Sequence, residues 1–189
     1  LLGPAGVEPT AAHQAAEARL VLAQERERVG QLELPALAPA EDWKTLDTKQ
    51  VAARVADAGI AGMGGAGFPT HVKLSPPPDK PIDTLIINGA ECEPYLSADH
   101  RLMIEHGDAI WAGAQIIRKA LNAKTVYVAI EDNKPDAVTA MEKVMAKAER
   151  NVAIAVLKTE YPKGAEKQQI FAITGREVPS AGLPMDVGC

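Results

Sequence analysis

The chain has 189 residues, a formal net charge of −5, 24% charged residues and only 4% aromatics. That balance fits a water-soluble α/β core of one sizeable domain with an appendage, and its acidity, with no basic run, excludes a nucleic-acid surface. No apolar run approaches the ~20 residues that span a bilayer, and Cys92 and Cys189 alone cannot build a four-thiolate zinc or iron–sulfur site.

Residues 1–41 differ from the rest. A Gly/Pro-containing start leads into Ala11–Val29, rich in Ala, Glu, Arg and Gln and expected to be helical. Gln31–Ala40 carries Pro35 and Pro39 and reads as a linker. The opening Leu1-Leu2-Gly3-Pro4 lacks the basic-then-apolar order of a secretion signal. The chain does not start with Met, so it is expected to be part of a longer one. The cysteine usage points to a reducing, cytoplasmic setting.

The globular part is expected over residues 42–189. Asp47 or Thr48 can cap a helix that ends near Gly59. There follows Gly62-Met63-Gly64-Gly65-Ala66-Gly67-Phe68-Pro69-Thr70, with glycines at 62, 64, 65 and 67. Backbone free of Cβ atoms can turn several N–H groups onto a phosphate. Phe68 adds a flat apolar face and Lys73 a mobile positive charge. Gly62, Gly64 and Gly67 match G-x-G-x-x-G, yet a helix rather than a buried strand precedes them, so this is no dinucleotide fingerprint. The plainer reading is a turn that lets two elements pack closely.

After the stiff Pro76-Pro77-Pro78 run, Thr84–Asn88 is a buried strand. It feeds Gly89-Ala90-Glu91-Cys92-Glu93-Pro94-Tyr95. In an extended loop Glu91 and Glu93 would face one side and could accept hydrogen bonds from sugar hydroxyls or a ring nitrogen; otherwise they are exposed loop acids. Cys92 reads as a packing residue rather than a redox thiol. One helix is expected over Asp99–Leu121, with Leu102, Ile110, Ala114 and Ile117 near one face. Strand Thr125–Ile130, helix Pro135–Ala148, strand Val152–Leu157, a loop through Tyr161–Glu166 and helix Lys167–Ile173 complete the order. His71, His100 and His106 lack metal-ligand spacing.

Alternating strands and helices at this spacing predict a parallel sheet with right-handed crossovers. Ligands of such sheets sit beyond the carboxyl ends of the strands. The loops Asn88–Tyr95 and Tyr161–Glu166 meet that description. The glycine loop must fold over the same edge to serve the same ligand.

Three stretches, Gly59–Leu74, Ile87–Met103 and Tyr161–Gln168 with Gly175–Pro184, closely resemble the RnfC/RsxC family, the C component of the Rnf/Rsx ion-translocating electron transport complex. The resemblance covers roughly residues 43–189. The wider family includes the flavin subunit of complex I and a cobalamin reductase. It implies a Rossmann-like parallel sheet flanked by helices, of the FMN-binding complex I flavin-subunit type, with FMN and NADH as cofactors. Carried over, Gly62, Gly64, Gly65, Gly67 and Lys73 would surround FMN, and Asn88 and Glu91 would line the flavin. Glu93, Gly164 and Glu166 would sit where flavin and NADH meet, with Phe68 near the dinucleotide. No residue is assigned as catalytic or as a metal ligand. Ala90 and Ala165 stand where the complex I subunit has acids. The resemblance further implies 4Fe-4S clusters only in sequence beyond Cys189, partner subunits, and a peripheral place on the cytoplasmic face of a bacterial inner membrane. The alternatives are the cobalamin reductase activity and a nucleotide-binding or docking module without turnover.

Overall fold

The structure is a computed structural model, and it describes residues 42–62, 67–146, 148 and 151–189. The helical arm expected over 1–41 lies outside the described residues.

The first helix, α1 (Thr48–Asp57), starts where the sequence places a cap. Asp47 accepts from the Gln50 N–H while the Gln50 side chain reaches back to the Asp47 N–H, a closed capping box. Gly59, at φ +64°, lies just beyond the helix end. Short α2 (Thr70–Lys73) follows the glycine loop. Strand β1 (Thr84–Asn88) leads to α3 (Ala98–Glu105) and α4 (Gly107–Leu121), then β2 (Thr125–Glu131), α5 (Pro135–Val144), β3 (Val152–Leu157) and α6 (Glu166–Thr174). A 3-10 turn at Pro184–Val187 comes last.

The three strands form one parallel sheet in the order β1-β2-β3. Thr84 to Asn88 lie opposite Thr125 to Ala129, and Val126 to Glu131 opposite Val152 to Leu157. Alternation then sorts the faces. Val128 and Ile130, with Val152 and Ile154, pack against Met103, Ala137 and Met141 of α3 and α5. Ala129 and Leu157, with Ile86, pack against Ala90 of the loop after β1 and Ile173 of α6. The α/β class and the parallel sheet are as the sequence predicts.

One expected helix is two. The chain breaks at His106, at φ −134° and ψ 30°, between α3 and α4. Gly107 is buried there, and a Cβ would meet Met141 Sδ at 3.2 Å and Val144 Cγ2 at 3.3 Å. The break brings the backbone onto α5 more closely than a continuous side-chain-bearing helix could. It also turns the stripe: Leu102 is exposed and Met103 takes the core position. The helix expected to reach Ala148 ends at Val144.

A separate apolar cluster fastens α1 to the second half of α4: Leu46, Val51, Ala52, Val55 and Leu74 against Ile116, Ile117, Ala120 and Leu121. Thr48 Oγ1 donates to the Ala120 carbonyl at 3.0 Å, so α1 begins over the last turn of α4. Lys119 Nζ donates to the carbonyls of Trp43, Lys44 and Leu46, tying down the chain that enters α1.

Candidate functional site at the carboxyl ends of the strands

Asn88 ends β1 and points its amide into the loop cluster. Its Nδ2 donates to the Gly164 carbonyl at 2.9 Å, and its Oδ1 accepts from the Ala90 N–H at 3.1 Å and Gln169 Nε2 at 2.5 Å. Gln169, on α6, is buried. One amide thus joins the loop after β1, the loop after β3 and helix α6. The loops also touch directly, because a Cβ on Gly164 would stand 2.8 Å from Cys92 Sγ and 3.1 Å from the Ala90 carbonyl oxygen. Cys92 is half-buried against that glycine, which is the packing role expected of it.

Glu91 and Glu93 do not face one side. The loop turns at Glu93–Leu96, with Tyr95 at φ +68°, instead of running extended. Glu93 is left exposed, its Oε2 3.9 Å from the Cys92 thiol. The Glu91 side chain is only 2% exposed and faces the start of α3, accepting from the N–H groups of Asp99 (2.7 Å) and His100 (3.2 Å). A carboxylate there satisfies orphan amides and complements the helix dipole. The charge is felt nearby: burial first, then Glu91 and Glu93, holds the Asp99 carboxyl above its ordinary range, with Lys134 opposing.

Beneath Glu91 lie two residues that sequence reasoning missed. Lys134 Nζ stands 3.1 Å from Glu131 Oε2 and 3.9 Å from Glu91 Oε2. The available signal was the run Glu131-Asp132-Asn133-Lys134 closing an otherwise apolar strand, with the strand expected to end one residue early at Ile130. Asp132, next to it, accepts from both the N–H and the hydroxyl of Thr159, which holds its carboxyl below the usual range and latches the ends of β2 and β3. Gly164 closes the β3 loop, and Glu166 is the first residue of α6, exposed to solvent.

The glycine loop is pinched at its neck. Gly62 N–H donates to the Phe68 carbonyl at 2.9 Å and Thr70 N–H to the Ile60 carbonyl at 3.0 Å. Gly64 and Gly65 lie outside the described residues. Gly67 takes φ +59°, and among the described residues nothing lies within 4 Å of where a Cβ would be. Phe68 is 44% exposed, and Lys73 Nζ lies 5.8 Å from its ring centroid. A left-handed glycine, a half-exposed aromatic face and a lysine therefore stand together at the neck of the loop.

The structure therefore brings Asn88, Glu91, Glu93 and Gly164 together, with Glu166 opening the adjoining helix. Gly62, Gly67, Phe68 and Lys73 form a second group around the neck of the glycine loop. Among the described residues no cluster of His, Cys, Asp or Glu has the makings of a metal site, and no helix is long and apolar enough to cross a membrane.

This chain is similar to the C components of several ion-translocating oxidoreductase complexes. It is 55% identical over 149 residues to that of the proton-translocating ferredoxin:NAD(+) oxidoreductase complex of Clostridium ljungdahlii, covering 79% of this chain and 32% of that one. It is 46% identical over 154 residues to that of the Na(+)-translocating ferredoxin:NAD(+) oxidoreductase complex of Acetobacterium woodii, covering 82% and 34%. The chain thus spans about a third of the length of these relatives. In fold it matches the crystal structure of an air-oxidized NAD+-reducing [NiFe]-hydrogenase, with a TM-score of 0.56 at 22% identity, over 89% of this chain and 35% of that chain. The Nuo51 FMN-binding domain model matches residues 55–189, and the chain belongs to that family.

Proposed function

We propose that residues 42–189 are the FMN- and NADH-binding module of a membrane-associated electron transport complex, working between NADH and iron–sulfur carriers. Partner subunits would couple the electron flow to ion translocation and hold the module at the cytoplasmic face of the inner membrane. The observation that carries this reading is Asn88, whose single amide fixes the loops after β1 and β3 side by side beyond the carboxyl ends of a parallel sheet, where such folds bind ligands. Membership of the FMN-binding family and the names of the relatives support it.

In this reading Gly62, Gly64, Gly65 and Gly67 present bare backbone to the flavin phosphate, and Lys73 neutralises its charge. Asn88 and the loop positioned by Glu91 border the ring, while Glu93, Gly164, Glu166 and Phe68 border the dinucleotide. The chain's contribution is to orient and to exclude water; no side chain need act as an acid or base. FMN held there would supply acceptance of one hydride, two electrons together, and release of those electrons singly.

The test is flavin content and its response to NADH. The full chain is expected to retain a yellow chromophore that NADH bleaches, and Gly67→Val to lose it, since a β-branched residue is strained at φ +59° and covers backbone that glycine leaves bare. A colourless wild-type chain that gains no flavin on reconstitution overturns the reading.

A further inference from the structure

Resting on the flavin-module reading, we propose that Lys134, with Glu131, is a positioning residue for the ligand-facing loop Gly89–Tyr95, acting through the Glu91 carboxylate. Three charged side chains meet there, Glu91, Lys134 and Glu131, at 2%, 9% and 0% exposure. They come from the loop after β1, the last residue of β2 and the residue that precedes α5, and through the Asp99 and His100 amides they reach the first turn of α3.

The cluster holds two carboxylates for one ammonium, and Glu131 Oε1 is buried with no hydrogen-bond partner among the described residues. Stability alone does not ask for such a group, because well-packed apolar side chains of the same volume hold a fold as well or better than a buried ion cluster. What apolar side chains cannot do is fix the direction of a carboxylate. Lys134 draws Glu91 inward, where both its oxygens meet the amides of α3.

The loop has no slack to absorb a change in Glu91. A Cβ on Gly89 would stand 2.9 Å from the Ala129 carbonyl oxygen and 2.9 Å from Met103 Sδ, and Gly164 closes on Ala90 and Cys92 from the other side. A displaced Glu91 therefore shifts Ala90 and Cys92, and with them the contact that holds Gly164 beside Asn88. The Asp99 carboxyl at the helix start is raised by burial first and then by the charges of Glu91 and Glu93.

Lys134→Met alone leaves the buried Glu131 carboxylate without its ammonium and lowers stability, so the paired variant Lys134→Met with Glu131→Leu, in which Glu91 keeps the Asp99 and His100 amides, carries the test. Three quantities are read on the full chain: melting temperature, FMN dissociation by flavin fluorescence, and hydrogen exchange of the Asp99 and His100 amides without flavin. The expected result is a paired variant that melts near the wild type, yet binds FMN about tenfold more weakly and exchanges those two amides faster. Wild-type FMN affinity in the paired variant overturns the proposal and leaves the cluster a purely structural one. Should the wild type itself bind no FMN, the flavin reading falls separately, and unchanged exchange at Asp99 and His100 then overturns the positioning role on its own.

Discussion

At the amino ends of the strands, Asp83 meets Arg176 through both carboxylate oxygens, at 2.8 and 3.1 Å, and Arg176 also donates to the Val187 carbonyl. At the carboxyl ends, Glu131 and Glu91 share Lys134. The residue types are nearly the same, but the first group stands half-exposed and the second is almost wholly buried. Water dilutes the first attraction, and its loss costs little. Burial makes the second costly to assemble and far more costly to leave half assembled. The amino end closes the structure, with Gly188 accepting from the Asp83 and Thr84 N–H groups. The carboxyl end concentrates buried charge where the family's ligand is expected.

The sharpest way to break that contrast is Lys134→Met by itself. Removing the ammonium from between two buried carboxylates should destabilise the fold by about 3–5 kcal/mol, read as a shift in the urea midpoint. A loss no larger than that of a surface pair would mean the two ends are held alike.

Next comes Gly164→Val. Its side chain would enter the space of Cys92 Sγ and the Ala90 carbonyl, and the carbonyl belongs to backbone that cannot rotate away. The expected cost is about 1–3 kcal/mol, with the β1 and β3 loops forced apart. Pairing it with Cys92→Ala, which clears the nearer atom, should recover part of the loss but not the contact with Ala90. Full recovery would show that the thiol alone sets the loop spacing.

The parts of this molecule legible in its sequence are those governed by local rules. Thr84–Asn88 and Val152–Leu157 read as strands because apolar runs sit between turn residues, and both begin and end where expected. The Asp47 cap is equally local. What stays hidden depends on tertiary contact. The break at His106 follows from how closely Gly107 must approach α5, and a helical period carried straight through it puts Leu102 in the core. The paired reading of Glu91 and Glu93 assumes an extended loop, whereas Glu91 turns inward to amides eight and nine residues ahead. Asn88 is legible as a polar residue at a strand tip, but its partner Gln169 is not, since nothing local marks a buried glutamine 81 residues away.

The smallest effect belongs to the amino end and is best read through pH. The Arg176 guanidinium, and then the Thr84 hydroxyl, hold the Asp83 carboxyl below its ordinary value of 3.8. A depressed carboxyl binds protons less readily folded than unfolded, so its stabilisation is present above that ordinary value and is lost as pH falls through the lower folded one. Asp83→Asn should cost about 1 kcal/mol or less near neutrality, and the difference from wild type should shrink as the pH drops below about 4. The raised Asp99 carboxyl works in the opposite sense, favouring the fold at acid pH, but it is common to both proteins and cancels in the comparison. Melting curves of the two proteins that stay separated down to the most acid point would show that Asp83 contributes by shape and hydrogen bonding rather than by its charge. The contrast between a screened end and a buried one would then rest on Lys134 alone.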